Sequence, residues 1–162
     1  MNIIVVDDKD RIIGVKERSK IDFSKDIYRV SCLWIVNSMG ELLIARRSSK
    51  KEHDPNKWGP SVAGTNDEGE TYEENIYKEA REELGVEGLS LKVLRKIFIH
   101  TKARYFCMIF ISEMDRKIED FILQEDEVDE VMWISREDLK RDMANNPDDY
   151  VFSMGDALSV LG

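Results

Sequence analysis

Cysteine, histidine and proline are scarce in this chain. Two cysteines, Cys32 and Cys107, sit in apolar runs, so buried thiols are expected rather than a disulfide. Two histidines, His53 and His100, are too few for a zinc site built from His and Cys. Excess positive charge is also lacking. The formal net charge is −9 and the pI about 4.8, which argues against a surface for nucleic-acid polymers or anionic membranes. No run approaches the roughly 18 apolar residues of a membrane span. The start, "MNIIVVDD", has no basic region of a secretory signal. A cytoplasmic protein is the expectation. What is present is a 42% hydrophobic and 35% charged sequence of 162 residues, enough for one domain spanning 1–162 with a very polar surface.

Alternation marks the strands. "IIVVDDKDRIIGV" predicts a hairpin, "IYRVSCLWIVN" a longer strand, and "LLIARRSS" another after the turn "SMGE". "KKEHDPNKWGPS" predicts a loop and "SVAG" a short strand ending at Gly64. "LSLKVLRKIFIH", "ARYFCMIFIS" and "VDEVMWIS" predict three more strands. "SREDLKRDMA" carries a helical pattern behind Ser135, and "DDYVFSMGDALSVLG" reads as a final helical stretch. Strands with interspersed helices indicate an α/β or α+β domain.

The best signposted element is a helix over about Tyr72–Leu84. Thr71 and Glu74 form a Thr-x-x-Glu capping box, and Gly85 supplies the stop. Tyr72, Ile76, Ala80 and Leu84 make one apolar stripe. Asn75, Glu79, Glu82 and Glu83 lie on an adjoining face. Three of these are carboxylates crowded at the C-terminal end of the helix, where the backbone dipole disfavours each by about 0.3–1 kcal/mol. One reading is a solvated acidic face, softened by the Glu74–Lys78 and Lys78–Glu82 pairs. The other is a site for a hard divalent cation, which would cancel both the dipole penalty and the mutual repulsion.

The surrounding spacing favours the cation. From Gly64 the chain reads "GTNDEGETYEENIYKEAREELGV". Gly64, Glu70, Glu79, Ala80, Glu82, Glu83, Gly85 and Val86 fall at the offsets of Gly-x5-Glu-x7-Arg-Glu-U-x-Glu-Glu-x-Gly-U, where U is apolar. This resembles the signature of the Nudix hydrolases, with Lys78 standing for Arg. The resemblance implies an α/β/α sandwich around a mixed β-sheet. It implies Mg²⁺ or Mn²⁺ held by Glu79, Glu82 and Glu83 with the Gly64 carbonyl, and hydrolysis by water of a diphosphate bond in a small nucleotide or nucleoside diphosphate derivative. Glu82 and Glu83 are the favoured direct ligands, Glu79 a ligand or general base, and Glu70 a brace for the loop. Lys78 keeps the charge of the family's Arg but not its two-pronged grip on a carboxylate. In many members the base lies in a later acidic loop. "LQEDEVDEVMWIS" offers several carboxylates, of which Glu127 is favoured.

The N-terminal half, "VDDKDRIIGVKERS" and "VNSMGELLIARRSSKKEHDPNKWGPSVAGT", looks like the branch containing isopentenyl diphosphate isomerase and related hydrolases. That isomerase uses a cysteine and a histidine flanking the first glycine. Here those places hold Ala63 and Thr65, so a hydrolase is preferred. A catalytically weak nucleotide-sensing module on the same fold is the alternative. Arg46 and Arg47 are adjacent on a strand, so only one can face a shared site. Together with Lys57 they are the candidate phosphate-binding cations. Trp58 is expected to pack, Trp34 to be core, and one of Tyr105 and Phe106 to line the pocket. Many family members are homodimers, which extends that expectation to this chain.

Overall fold

A computed structural model describes all residues, 1–162. The hairpin is β1 (Asn2–Val6) against β2 (Ile12–Glu17), antiparallel. The long strand is β3 (Ile27–Val36), followed by β4 (Leu42–Arg47), β5 (Trp58–Gly59) and β6 (Val62–Thr65). Helix α1 (Tyr72–Leu84) comes next. Then follow β7 (Lys92–His100), β8 (Arg104–Glu113) and β9 (Val128–Ile134). Helices α2 (Arg136–Asn145) and α3 (Met154–Ser159) complete the order.

The nine strands form one mixed sheet. β8 runs parallel to β3 from Tyr28↔Tyr105 to Val36↔Glu113, and every other pairing is antiparallel. Period-two alternation sends each strand's apolar residues to two separate cores. Leu33, Ile35, Leu43 and Val131 pack with Ile76, Ala80 and Leu84 of α1 on one face. Trp34, Cys32, Leu42 and Ile44 pack with Leu139 of α2 and Met154, Ala157 and Leu158 on the other. This is the expected α/β/α layering. Both cysteines are buried and free, as the sequence predicts.

The sheet forks where the site lies. β3 and β4 pair only at Val36↔Leu42 and then diverge. β6 fills the freed edge of β3, through Val30↔Thr65 to Leu33↔Val62, while β5 and β9 attach to β4. Fully buried Ser61 sits in the fork. Its hydroxyl donates to the Leu43 carbonyl at 2.6 Å and accepts from the Ile35 amide at 2.8 Å, which ties the diverging strands together.

Two stretches differ from the sequence reading. Trp58–Gly59 is a short strand within the predicted loop, held by Ala45↔Gly59 and Arg46↔Trp58. The final stretch is helical only over Met154–Ser159, preceded by a 3-10 turn at Pro147–Asp149. Between them, Tyr150 bridges Trp58 and the Val151 amide donates to the Trp58 carbonyl at 2.9 Å. That tertiary pairing overrides the local helical pattern at Tyr150 and Val151, and Phe152–Ser153 form the turn that leads into α3.

Candidate active site

Helix α1 is fixed at both ends. At its start, Thr71 accepts from the Glu74 amide at 3.1 Å, and Glu74 accepts from the Thr71 amide at 2.9 Å. Gly85 ends the helix in the left-handed region at φ 66°, where an added Cβ would also meet the Ile122 Cβ at 2.8 Å. The loop before the helix is braced from inside. Glu70 accepts from the Asp67 amide at 2.9 Å and from Asn75 at 2.8 Å, and it pairs with Lys78. Lys78 also reaches Asp67 at 2.8 Å and lies 3.8 Å from Glu79. Burial opposes the Lys78 charge, but the bonds it donates to Asp67 and Glu70 outweigh this and hold its pKa above the ordinary lysine value. A single ammonium thus joins Glu70 and Glu79 of the signature and Asp67 of the loop between, in the place where the family pattern has a guanidinium.

Gly64 lies directly against Glu79. A Cβ there would stand 2.5 Å from the Glu79 Cγ and 2.7 Å from its Cδ. The first glycine of the signature is therefore required by the close passage of Glu79, not by backbone strain, since its φ is not positive. Glu79 is directed at β6, and Glu83 and Glu127 lie near enough to act on its charge.

The charges of these three groups act on one another. Burial pushes the Glu79 carboxyl up, a hydrogen bond from Glu83 and the Lys78 charge oppose this, and Glu82 and Glu127 push it further up. Burial likewise raises Glu83 well above the ordinary carboxylate range, reinforced by the Glu79 charge, its donated hydrogen bond to Glu79, and Glu127. The Lys51 charge acts in the opposite sense on Glu83 and pairs with Glu127 at 2.5 Å. Burial and the mutual repulsion of these carboxylates therefore both act against their full ionisation. Glu82, one residue away, is exposed and contributes charge from the rim.

No three acidic, histidine or cysteine side chains are gathered tightly enough to enclose a metal ion. The donor chemistry nevertheless fits a hard divalent ion. It consists of carboxylate oxygens beside an unencumbered glycine, mutually repelling and partly desolvated.

Of the expected phosphate-binding cations, none is gathered at the carboxylates. Arg46 faces the opposite side of the sheet, over the Trp58 ring at 5.9 Å and paired with Glu130 at 3.3 Å. Arg47 donates to the backbone carbonyls of His53 at 2.8 Å and Asp54 at 3.2 Å, which holds the β4–β5 loop. Lys57 accepts the Arg47 amide with its backbone carbonyl at 2.9 Å, and its side chain enters no ion pair. The cation that does reach the site is Lys51. Local sequence does not single it out, because its partner Glu127 is 76 residues away.

The NUDIX domain family model matches residues 25–154, and the chain belongs to the Nudix family. An uncharacterised Nudix hydrolase of Clostridium acetobutylicum is 29% identical over 161 residues, covering 93% of this chain and 77% of that one. An isopentenyl-diphosphate Delta-isomerase of Klebsiella pneumoniae is 25% identical over 154 residues, covering 90% of this chain and 82% of the relative. The crystal structure of DR0079 from Deinococcus radiodurans superposes with a TM-score of 0.87 at 27% identity over 98% of both chains. The chain is thus a Nudix pyrophosphohydrolase by family. That family acts generally on nucleoside diphosphate derivatives with divalent metal ions.

Proposed function

We propose that this protein hydrolyses a diphosphate bond in a nucleoside diphosphate derivative with Mg²⁺ or Mn²⁺, by attack of water at phosphorus. The observation that carries this reading is Gly64 pressed against Glu79 at the signature's spacing, with Glu83 and Glu127 near enough to act on the Glu79 charge. Glu79, Glu83 and the Gly64 carbonyl are assigned to the cation, with Glu82 at the rim. The bound ion would neutralise phosphate oxygens and lower the pKa of water beside it.

The chain's own groups do the rest. Glu127 is the assigned general base. Its carboxylate takes a proton from water as the water oxygen bonds to phosphorus, and the bridging P–O bond breaks with its electron pair going to the departing phosphate. Lys51 pairs with Glu127 and adds positive charge where an anionic substrate arrives. Lys78 keeps Glu79 oriented through the Asp67–Glu70 brace. Ala63 is exposed on β6 and has no proton to move, which supports hydrolysis over double-bond isomerisation despite the isomerase relative.

The test is phosphate release from a panel of nucleoside diphosphate derivatives at millimolar Mg²⁺ or Mn²⁺. Turnover should require the ion and fall by about 10²–10⁴-fold in Glu127→Gln, the usual share of a general base. Equal turnover in Glu127→Gln would remove that residue from the mechanism. Absence of hydrolysis across the panel would overturn the reading.

A further inference from the structure

Asn75 occupies one of the positions that the signature leaves open between Glu70 and Lys78. It is fully buried on α1, one turn before Glu79 on the same edge of the helix. A buried amide is disfavoured unless its hydrogen bonds are made. Asn75 makes its bonds as a donor. Its Nδ2 donates to the Thr65 carbonyl at 3.1 Å and to Glu70 Oε2 at 2.8 Å. Its Oδ1 is buried and has no partner. Turning the amide over would set Oδ1 against two acceptors, so the donors belong on that side. The side chain satisfies its donors and leaves its acceptor unmatched, which singles out donation as its role.

The two oxygens of Glu70 are divided between two helix residues. Lys78 Nζ donates to Oε1, and Asn75 Nδ2 donates to Oε2. Residues spaced as 75 and 78 are neighbours on one helix face. A guanidinium carries parallel N–H groups in one plane and grips both oxygens of a carboxylate at once. An ammonium is a point charge on a flexible stem and has no such fork. Here the charge and one prong come from Lys78, and the other prong comes from Asn75. The Asp67 amide adds a third bond, to Oε2 at 2.9 Å.

Asn75 also fastens the helix to the strand. Thr65 follows Gly64 on β6, and Gly64 is the residue pressed against Glu79. Successive turns of α1 thus meet neighbouring residues of β6, Asn75 at Thr65 and Glu79 at Gly64. The hydrogen bond at the first contact sets the separation of helix and strand at the second. There the fit has no slack, since a Cβ on Gly64 would stand 2.5 Å from the Glu79 Cγ.

We propose that Asn75 and Lys78 together replace the single arginine of the family pattern, and that Asn75 is a positioning residue that sets Glu79 and the Gly64 carbonyl for the cation. The inference rests on the diphosphate-hydrolase reading for the cation itself. Asn75 acts through Glu70, which braces the loop, and through Thr65, which carries the strand. Groups that hold a metal ligand from behind in this way govern its affinity and the activity that depends on it.

The test is rescue by arginine. Mn²⁺ affinity by calorimetry, and kcat and KM for a nucleoside diphosphate derivative that wild type hydrolyses, are measured for Asn75→Ala, Asn75→Leu, Lys78→Arg and Asn75→Ala/Lys78→Arg. Leucine matches the shape of asparagine without its donors, and circular dichroism should show every variant folded. Asn75→Ala and Asn75→Leu should each weaken Mn²⁺ binding and lower kcat by roughly 10- to 100-fold, the usual effect of removing a group that orients a metal ligand. Lys78→Arg alone should leave both in place. In Asn75→Ala/Lys78→Arg the guanidinium supplies both prongs, and most of the lost affinity and kcat should return. Mn²⁺ binding and kcat within about threefold of wild type in both variants at 75 would overturn the proposal, being far short of that effect. A loss that Lys78→Arg fails to recover would overturn it too, and would leave Asn75 a packing residue. Absence of both Mn²⁺ binding and hydrolysis in wild type would strike the diphosphate-hydrolase reading and this proposal with it. An active wild type with unaffected variants strikes the proposal alone, so the two failures are distinguishable.

Discussion

Adding one methyl group at Gly64 should disable the site while sparing the fold. The Cβ of Gly64→Ala would fall 2.5 Å from the Glu79 Cγ, 2.7 Å from its Cδ and 3.1 Å from its Oε1. Carbon atoms rest at about 3.5–4.0 Å, so the Glu79 carboxylate or the β6 backbone must retreat by about 1 Å. Strain of this kind in a packed site costs about 1–3 kcal/mol. The lower end applies here, because an unbranched side chain flanked by water on one side can swing away. Activity has no such escape. A shift of about 1 Å in a positioned group lowers turnover by on the order of 10²-fold. The assay is steady-state phosphate release at saturating Mg²⁺, with a thermal melt in parallel. We expect turnover down by about 10²-fold with Tm lowered by roughly 2–8 °C, as about 1–2 kcal/mol implies for a chain of this size. In the double variant Gly64→Ala/Glu79→Gln the two losses should not add, since both act on one carboxylate. Turnover within threefold of wild type in Gly64→Ala would refute the claim that Glu79 is held in place by that glycine.

Other consequences follow from the electrostatics. Glu83 holds its proton more tightly folded than unfolded, because burial and Glu79 raise its pKa. Its ionisation therefore costs stability, absent below the unfolded carboxylate range and fully present above the folded pKa. In metal-free buffer Glu83→Gln should stabilise the chain at about pH 8 by about 0.5–2 kcal/mol, with the gain shrinking toward pH 4, as read by melts across pH. Asp10 has the opposite sign. Burial opposes its charge, but bonds from Lys96, Arg29 and Tyr72 outweigh this and lower its pKa. Its contribution is present above about pH 4 and fades as pH falls through the folded pKa. Asp10→Asn should cost about 3–5 kcal/mol at neutral pH, because it strands the largely buried Arg29 guanidinium, and urea unfolding measures it. Lys78→Met should lower both Tm and turnover by unpairing Asp67 and Glu70, whereas Lys78→Arg should retain both.

The layers of the fold were legible because they rest on local chemistry. Alternation in β3, β4 and β9 and the Thr71–Glu74 capping box with its Gly85 stop each state their geometry within a few residues. Spacing from Gly64 to Val86 likewise put the carboxylates on one helix edge. Long-range choices were not legible. Nothing local announces that Trp58 bonds to Val151, so the local pattern predicts loop for β5 and helix for 150–153. The Lys51–Glu127 pair depends on residues far apart in the chain, and only the folded sheet brings them together. Arg47 shows the converse. A strand arginine beside a phosphate-cleaving site suggests a ligand contact, yet its guanidinium is taken up by the carbonyls of its own loop.

The central claim is that the carboxylates late in α1 exist to hold a divalent cation. Isothermal titration of Mn²⁺ into wild type and into Glu79→Gln/Glu83→Gln, with and without a non-hydrolysable nucleotide, tests it directly. The account predicts saturable binding to wild type at millimolar ion or below, tightened by nucleotide, with protons released as Glu83 ionises and all of it lost in the double variant. Equal binding heats in the two proteins, or none in wild type even with nucleotide present, would contradict it.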